Sequence, residues 1–277
     1  MPALARVMGG TGQAWDPAQY HRFRAERAAP FTDLLALVAP VPGGDAADLG
    51  CGTGELTVRL HHHLRARSTV GYDRSAAMLA AAGGLHVDGV RFEAGDVATF
   101  GAARDGGPGA AREWDVVASN AALHWVPRHD TVLARWAGAL RPGGQLAVQV
   151  PANVDHPAHR AAAIVAEEFA GDFGGPPPPD PVRNVLAPEG YAELLDTLGF
   201  ADQHVRLQVY GHHLASTAEV VEWLKGSSLT RFRDALDGTA YDAFLARYRA
   251  AVLAELGDRR PYFYAFKRIL MWGRLGM

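Results

Sequence analysis

An α/β fold, doubly wound around a mostly parallel sheet, is predicted by three observations in this chain. Apolar strand-like runs alternate with amphipathic helical segments from Asp45 to Val150, the pattern of parallel strands covered by helices on both faces. The first run ends in an acid and then alternate glycines, Ala46-Ala47-Asp48-Leu49-Gly50-Cys51-Gly52-Thr53-Gly54. The amphipathic segment Glu55 to Leu64 follows at once, so the turn joins a strand to a helix whose N-terminal amides face a ligand. The next two runs, Ser68 to Tyr72 and Val90 to Ala94, are followed by Asp73 and Asp96. Three acids at three strand ends define one crevice.

Each element follows in order. Asp16 and Pro17 suit the cap and first turn of a helix carrying Tyr20, Phe23, Arg24 and Arg27, which Pro30 is expected to break. Residues 1–40 are thus expected to be lid helices, and residues 41–155 a nucleotide-binding core. In that core Asp73 stands where a doubly wound sheet puts a carboxylate on ribose hydroxyls, and Asp96 can accept from an adenine amine. The glycine spacing departs from G-x-G-x-x-G, since Glu55 holds the last position, which argues against a dinucleotide. Gly101 to Gly109 reads as a surface loop. Beyond Pro151 come a helix near Pro157 to Gly171, a hinge or loop at Pro176 to Pro179, a helix over 188–198 and a strand over 202–210. The strand reading rests on the alternation Gln203, Val205, Leu207, Val209. Helical signals then fill residues about 212–257, with Thr217 as a candidate cap and Val220, Val221, Trp223 and Leu224 as an apolar face, before a last strand, Tyr262 to Trp272. Residues 156–277 are expected to complete the sheet and carry a helical substrate cap.

The motifs Asp48-x-Gly50-x-Gly52-x-Gly54, Asp73 with Arg74, and Gly95-Asp96-Val97 resemble the cofactor site of class I S-adenosylmethionine-dependent methyltransferases. The stretch Trp114 to Asn120 leading into Ala121-Ala122-Leu123-His124-Trp125 is similar to that family, as is Leu140-Arg141-Pro142-Gly143-Gly144 before the strand Gln145 to Val150. The resemblance implies a Rossmann-like seven-stranded sheet with a cap inserted near the C-terminus. It also implies S-adenosyl-L-methionine as cofactor and S-adenosyl-L-homocysteine as product, held by Asp48, Gly50, Cys51, Gly52, Gly54, Asp73, Arg74, Asp96, Val97 and Asn120.

A closer resemblance, to the trans-aconitate methyltransferases, runs nearly the whole length. It is carried by Trp15-Asp16-Pro17 with Tyr20, Phe23, Glu26 and Arg27, by Asn120-Ala121 with Leu123, Trp125, Pro127 and His129, and by Leu146 to Pro151 with Asn153. Weaker matches lie at Tyr210, His212, Glu222-Trp223, Arg247-Tyr248 and Arg268. The resemblance implies O-methylation of a carboxylate of a small organic acid. The candidate acceptor contacts are Tyr20, Phe23, Arg24, Arg27, His124, Trp125, Tyr210, His212, Trp223, Arg231, Tyr248 and Arg268. The chain departs from that family at Ala29 and Ala152, where it usually has an arginine and an acid, and at Ser228-Leu229-Thr230-Arg231. Two alternatives stand beside this reading: methylation of a natural-product hydroxyl or carrier-bound acyl group, and a cofactor-binding regulatory protein without catalysis.

Methyl transfer from a sulfonium is an in-line displacement, so the enzyme chiefly aligns the nucleophile and removes water. A carboxylate with a pKa near ~4 is already ionised and needs only positioning, best by arginine forks. A phenol or alcohol benefits from a general base, for which His124 in the loop after the fourth strand is the catalytic candidate. It is equally a hydrogen-bonded wall residue, and Trp125 is a wall residue whose indole suits a sulfonium. His61-His62-His63 point in different directions on one helix, unlike a zinc pair, and a metal is not expected.

Composition agrees. At 277 residues with 48% hydrophobic content the chain can bury a full core. A formal charge of −3 offers no basic field for nucleic acid, and no run approaches the ~20 apolar residues of a spanning helix. A small-molecule substrate, no nucleic acid or membrane partner, a cytoplasmic location and a monomer or homodimer are expected. The single cysteine, Cys51, excludes an internal disulfide and reads as a small spacer in the turn.

Overall fold

The computed structural model describes residues 24–101 and 114–277, with side chains described from Ala29 onward. Its elements are α1 (Arg24–Leu35), β1 (Asp45–Leu49), α2 (Glu55–Leu64), β2 (Ser68–Asp73), α3 (Ala76–Ala82), β3 (Val90–Ala94), β4 (Trp114–Asn120), α4 (His129–Ala139) and β5 (Leu140–Pro151). There follow α5 (Pro157–Glu168), α6 (Pro188–Thr197), β6 (Phe200–Leu214), α7 (Glu219–Lys225), α8 (Thr230–Arg233), α9 (Gly238–Leu256) and β7 (Tyr262–Leu275).

The seven strands form one sheet in the order β3-β2-β1-β4-β5-β7-β6. The first five are parallel and β7 runs antiparallel to both its neighbours. The apolar residues of β1 explain its central place, since Ala46, Ala47 and Leu49 are all fully buried. Strand order reverses at β1, between β2 and β4, and it is outside the carboxyl ends of such a pair that open α/β sheets bind ligands.

One expectation fails at Pro30, which does not end its helix. Helix α1 continues to Leu35 with Pro30 inside it. The missing N–H costs a single helical bond, whereas the following turn sinks Phe31, Leu34 and Leu35 into a core shared with Leu60, Leu64, Val116 and Leu270. At ~1.5–3 kcal/mol for each fully buried large apolar side chain, burial outweighs the proline. The start expected at Asp16 and Pro17 lies outside the described residues, as does the loop beyond Gly101.

The C-terminal strands are longer than the alternation predicted, reaching Leu214 and Leu275. Only part of the stripe that predicted β6 is covered: Val205 packs against the core that holds Ile269 and Met271, whereas Leu207 and Val209 are 47% and 50% exposed. Between β6 and β7 stand α7, α8 and α9, which share a core with α5: Trp223, Phe232, Phe244 and Tyr248 pack with Ala158, Ala162 and Val165. Thr217 does not cap α7. Its hydroxyl accepts from the Arg259 N–H at 3.0 Å, and Ala218 holds the cap position without a side-chain bond. Val220, Val221, Trp223 and Leu224 form the buried face as expected.

Of the three consecutive histidines, His61 bonds Thr69 and His63 bonds the Val38 carbonyl, while His62 is exposed. No helix among the described residues is long and apolar enough to cross a membrane.

Candidate active site

A cavity of about 230 Å³ opens at the carboxyl ends of β1, β2 and β4 and is lined by Asp48, Gly50, Cys51, Gly52, Asp73, Arg74, Asp96, Val97 and Asn120. These are nine of the ten residues expected to hold the cofactor. The tenth, Gly54, is not among the lining residues. It caps α2, where a Cβ would meet the Phe92 ring at 2.5 Å.

The turn is built for close approach of backbone to ligand. Gly50 has φ +78°, and a Cβ there would lie 2.2 Å from the Ala122 Cβ. The Gly52 N–H donates to Asp73 Oδ2 at 2.9 Å and the Ser75 N–H to Oδ1 at 2.8 Å, so two backbone amides fix the Asp73 carboxylate. Asp96 is oriented by the Ala98 N–H at 2.8 Å. Cys51 is buried, and burial with the neighbouring charges of Asp48 and Asp73 pushes its thiol up. That fits a spacer and no nucleophile.

Asp48 is 2% exposed and accepts from the Thr57 hydroxyl at 2.6 Å. Burial pushes its pKa up to about 6 against the pull of Thr57, with Asp73 adding a like charge. The folded state therefore holds this proton more tightly than the unfolded chain, so Asp48's contribution to stability is fullest below about pH 4 and is lost as pH rises through about 6. Asp48→Asn keeps an acceptor for Thr57 and removes the buried charge. We expect it to raise Tm by several degrees at alkaline pH, from a gain of up to about 3 kcal/mol, and to change little at acid pH. Thermal melts at the two extremes check this; an equal shift at both would refute it.

Sequence reasoning passed over Ala121, which adopts φ +55° between the cavity-lining Asn120 and Ala122. A non-glycine residue held there is strained. Its N–H is fixed by the Gln149 carbonyl, and His129 pins the next turn, contacting the Leu123 and Val126 carbonyls through Nε2 and Tyr191 through Nδ1. Only a set of long-range contacts reveals that device.

A second cavity of about 70 Å³ adjoins the first, sharing Asn120, Ala121 and Trp125. His124, Trp125, Trp223 and Arg268 line it, four of the expected acceptor contacts. No carboxylate lines it among the described residues. Arg268 is 5% exposed, donates to Gln149 Oε1 at 3.2 Å and lies over the Phe266 ring. His124 is buried with Nδ1 unbonded, and burial plus the Arg268 charge push its pKa down to about 3. It is neutral at ordinary pH.

The other expected contacts stand elsewhere. Tyr210 donates to Asp33 at 2.7 Å, Tyr248 is core and donates to the Ala158 carbonyl, and His212 packs on Trp223. Arg231 points to Asp180, Pro178 and Ser228. Tyr20 and Phe23 lie outside the described residues, and the side chains of Arg24 and Arg27 lie outside the described part. His159 was missed as a site residue: it lines the smaller cavity from the first turn of α5.

The buried Asn120 Oδ1, unbonded at the junction of the two cavities, and the turn that a Cβ at Gly50 would fill both fit an adenosyl cofactor. Residues 46–144 match the model of a methyltransferase domain. The YcgJ protein of Bacillus subtilis, a solved structure at 12% identity, superposes with a TM-score of 0.56 over 90% of this chain and 99% of that one, a likeness of fold. Fold and site together define a class I S-adenosylmethionine-dependent methyltransferase. The trans-aconitate 2-methyltransferase of Deinococcus radiodurans is 42% identical over 92% of this chain and 96% of its own. That of Streptomyces coelicolor is 39% identical over 89% and 82%. The chain belongs to the trans-aconitate 2-methyltransferase family.

Proposed function

We propose that this enzyme methylates a carboxylate oxygen of a small polyacid, with trans-aconitate as the leading acceptor, and that the acceptor sits in the smaller cavity. The observation that carries the reading is the buried Arg268 guanidinium lining that cavity beside His124 and Trp125. A guanidinium so placed favours a planar anion by charge-assisted hydrogen bonds. The names of the similar enzymes point the same way.

In this reading the Gly50–Gly52 turn holds the methionine part of the cofactor, Asp73 the ribose, and Asp96 with Val97 the adenine. S-adenosylmethionine, when bound, supplies an electrophilic methyl group. Trp125 lines both cavities, where an indole face favours a cation.

His124 sorts the acceptors. With a pKa near 3 it is too weak a base to take a proton from a phenol or an alcohol. A carboxylate needs no such base, so His124 serves as a neutral wall or hydrogen-bonding group. The small cavity and the net charge of −3 support a small-molecule acceptor over nucleic acid.

The test is turnover with labelled cofactor against di- and tricarboxylates, phenols and acyl carriers. Base-labile methyl ester from trans-aconitate, lost in Asp73→Ala, is the expected result. Label confined to phenols or carriers would overturn the proposal.

A further inference from the structure

The smaller cavity contains a histidine that the reading above leaves unused. His159 is 6% exposed and lines the cavity, and its Nε2 is buried with no hydrogen-bond partner. Its Nδ1 lies 2.7 Å from Asp180 Oδ2. We infer that His159 is a second anion contact of the acceptor site: with Asp180 behind it, its imidazolium donates from Nε2 to an acceptor carboxylate other than the one methylated. This inference rests on the polyacid reading above.

Asp180 is suited to hold that charge. Burial alone would raise its pKa, but the bond from His159 and the charges of His159 and Arg231 keep it below the usual carboxylate range. It is therefore ionised, and a carboxylate accepts only, so His159 Nδ1 carries a proton. The carboxylate is fixed further by the Val182 N–H at 3.0 Å and by Arg231 at 3.6 Å. Arg231 in turn donates to the Pro178 and Ser228 carbonyls and lies over Phe232. The four prolines at 176–179 thus have a use: they lead the chain stiffly to Asp180.

With Nδ1 committed, Nε2 is either a bare lone pair or an N–H, and either one buried without a partner is costly. An anion in the cavity satisfies the N–H form. Arg268 and His124 line the same cavity, Arg231 lies behind Asp180, His156 caps α5, and Arg160 follows His159 on that helix. Arg268, Arg231 and Arg160 are the cations around His159, while burial holds His156 near 4 and so uncharged. A carboxylate bound in the cavity gives the Nε2–H the acceptor it lacks. Arg268 and His159 would then read two carboxylates of one acceptor, which distinguishes a polyacid from a monoacid.

The sign follows from the charge of the donor. KM for the polyacid is lowest where His159 is protonated and rises with pH, by up to about tenfold per unit, once the imidazolium is lost. The experiment is steady-state kinetics with trans-aconitate between about pH 5.5 and 8.5, with cofactor affinity measured by calorimetry as the check on folding. His159→Gln should raise KM about tenfold on the acid side and flatten its pH profile, with kcat held within about threefold. Asp180 acts through His159, as a positioning residue. Asp180→Asn should move the break in KM to lower pH by about a unit or more, which decides the matter if His159→Gln fails to bind cofactor. A flat wild-type profile, or a His159→Gln profile parallel to the wild type, would overturn this inference alone. No ester from any polyacid would overturn it together with the reading it rests on.

Discussion

Arg268→Met is expected to lower kcat/KM for trans-aconitate by about two to three powers of ten, the range seen when one partner of a buried, hydrogen-bonded charge pair is truncated. The side chain leaves β7 between Pro151 of β5 and Gln208 of β6, so its stem is held by the sheet on both sides. Methionine fills most of the stem's volume but leaves Gln149 Oε1 without its donor and the Phe266 face without its cation. The orphaned carbonyl costs about 1–3 kcal/mol of stability.

The loss in kcat/KM should fall on the acceptor. Cofactor affinity should stay within a few-fold of wild type, because Arg268 lines the smaller cavity and not the larger one. Arg268→Lys should fall between the two: an ammonium keeps the charge but not the planar fork that can serve Gln149 and an anion together. Kinetics with and without saturating cofactor, beside calorimetry, separate the outcomes. Equal losses in cofactor affinity and in kcat/KM would make Arg268 a structural residue and remove the main support for the polyacid.

The contrast between the two cavities marks how much of this was legible in the chain. The larger one is built from residues near one another in sequence, Asp48 to Gly52, Asp73, Asp96 and Asn120. Asp48, Asp73 and Asp96 stand at strand ends, and parallel strands in one sheet must bring their ends together, so strand patterning pointed to these three, while Asn120 came from the family resemblance. The smaller one is assembled by tertiary contacts: His159 from α5, Ser228 from the turn before α8, Arg268 from β7. Nothing in local periodicity says which face of α5 meets Asp180, 21 residues on and beyond four prolines. Tyr210 and Tyr248 stand outside the lining of the smaller cavity, and a tyrosine looks the same in sequence whether it donates to Asp33, to a backbone carbonyl or to a ligand. Pro30 misleads because helix-breaking is a local cost, and Phe31, Leu34 and Leu35 offset it only through burial that the finished fold supplies.

Substitution of the two glycines in the β1–α2 turn should separate stability from cofactor binding. Gly50 and Gly52 both have left-handed φ, +78° and +56°, so alanine at either costs about 1–2 kcal/mol of backbone strain. They differ in what the new methyl meets. At Gly50 it lies 2.2 Å from the Ala122 Cβ, so the loop after β4 must shift, adding about 1–3 kcal/mol of overpacking. At Gly52 no described atom lies within 4 Å, and the methyl projects from a residue that lines the cofactor cavity. Gly50→Ala should therefore lower Tm markedly and weaken cofactor binding together, since Ala122 borders both the turn and the cavity. Gly52→Ala should lower Tm only modestly yet weaken cofactor affinity by tenfold or more, on the order of 1.4 kcal/mol, because the methyl occupies space the cofactor needs. Melts and calorimetric titrations of both variants decide between this account and one in which the turn is merely a tight βα connection. In that case Gly52→Ala would bind cofactor as the wild type does, with affinity lost only where stability is lost.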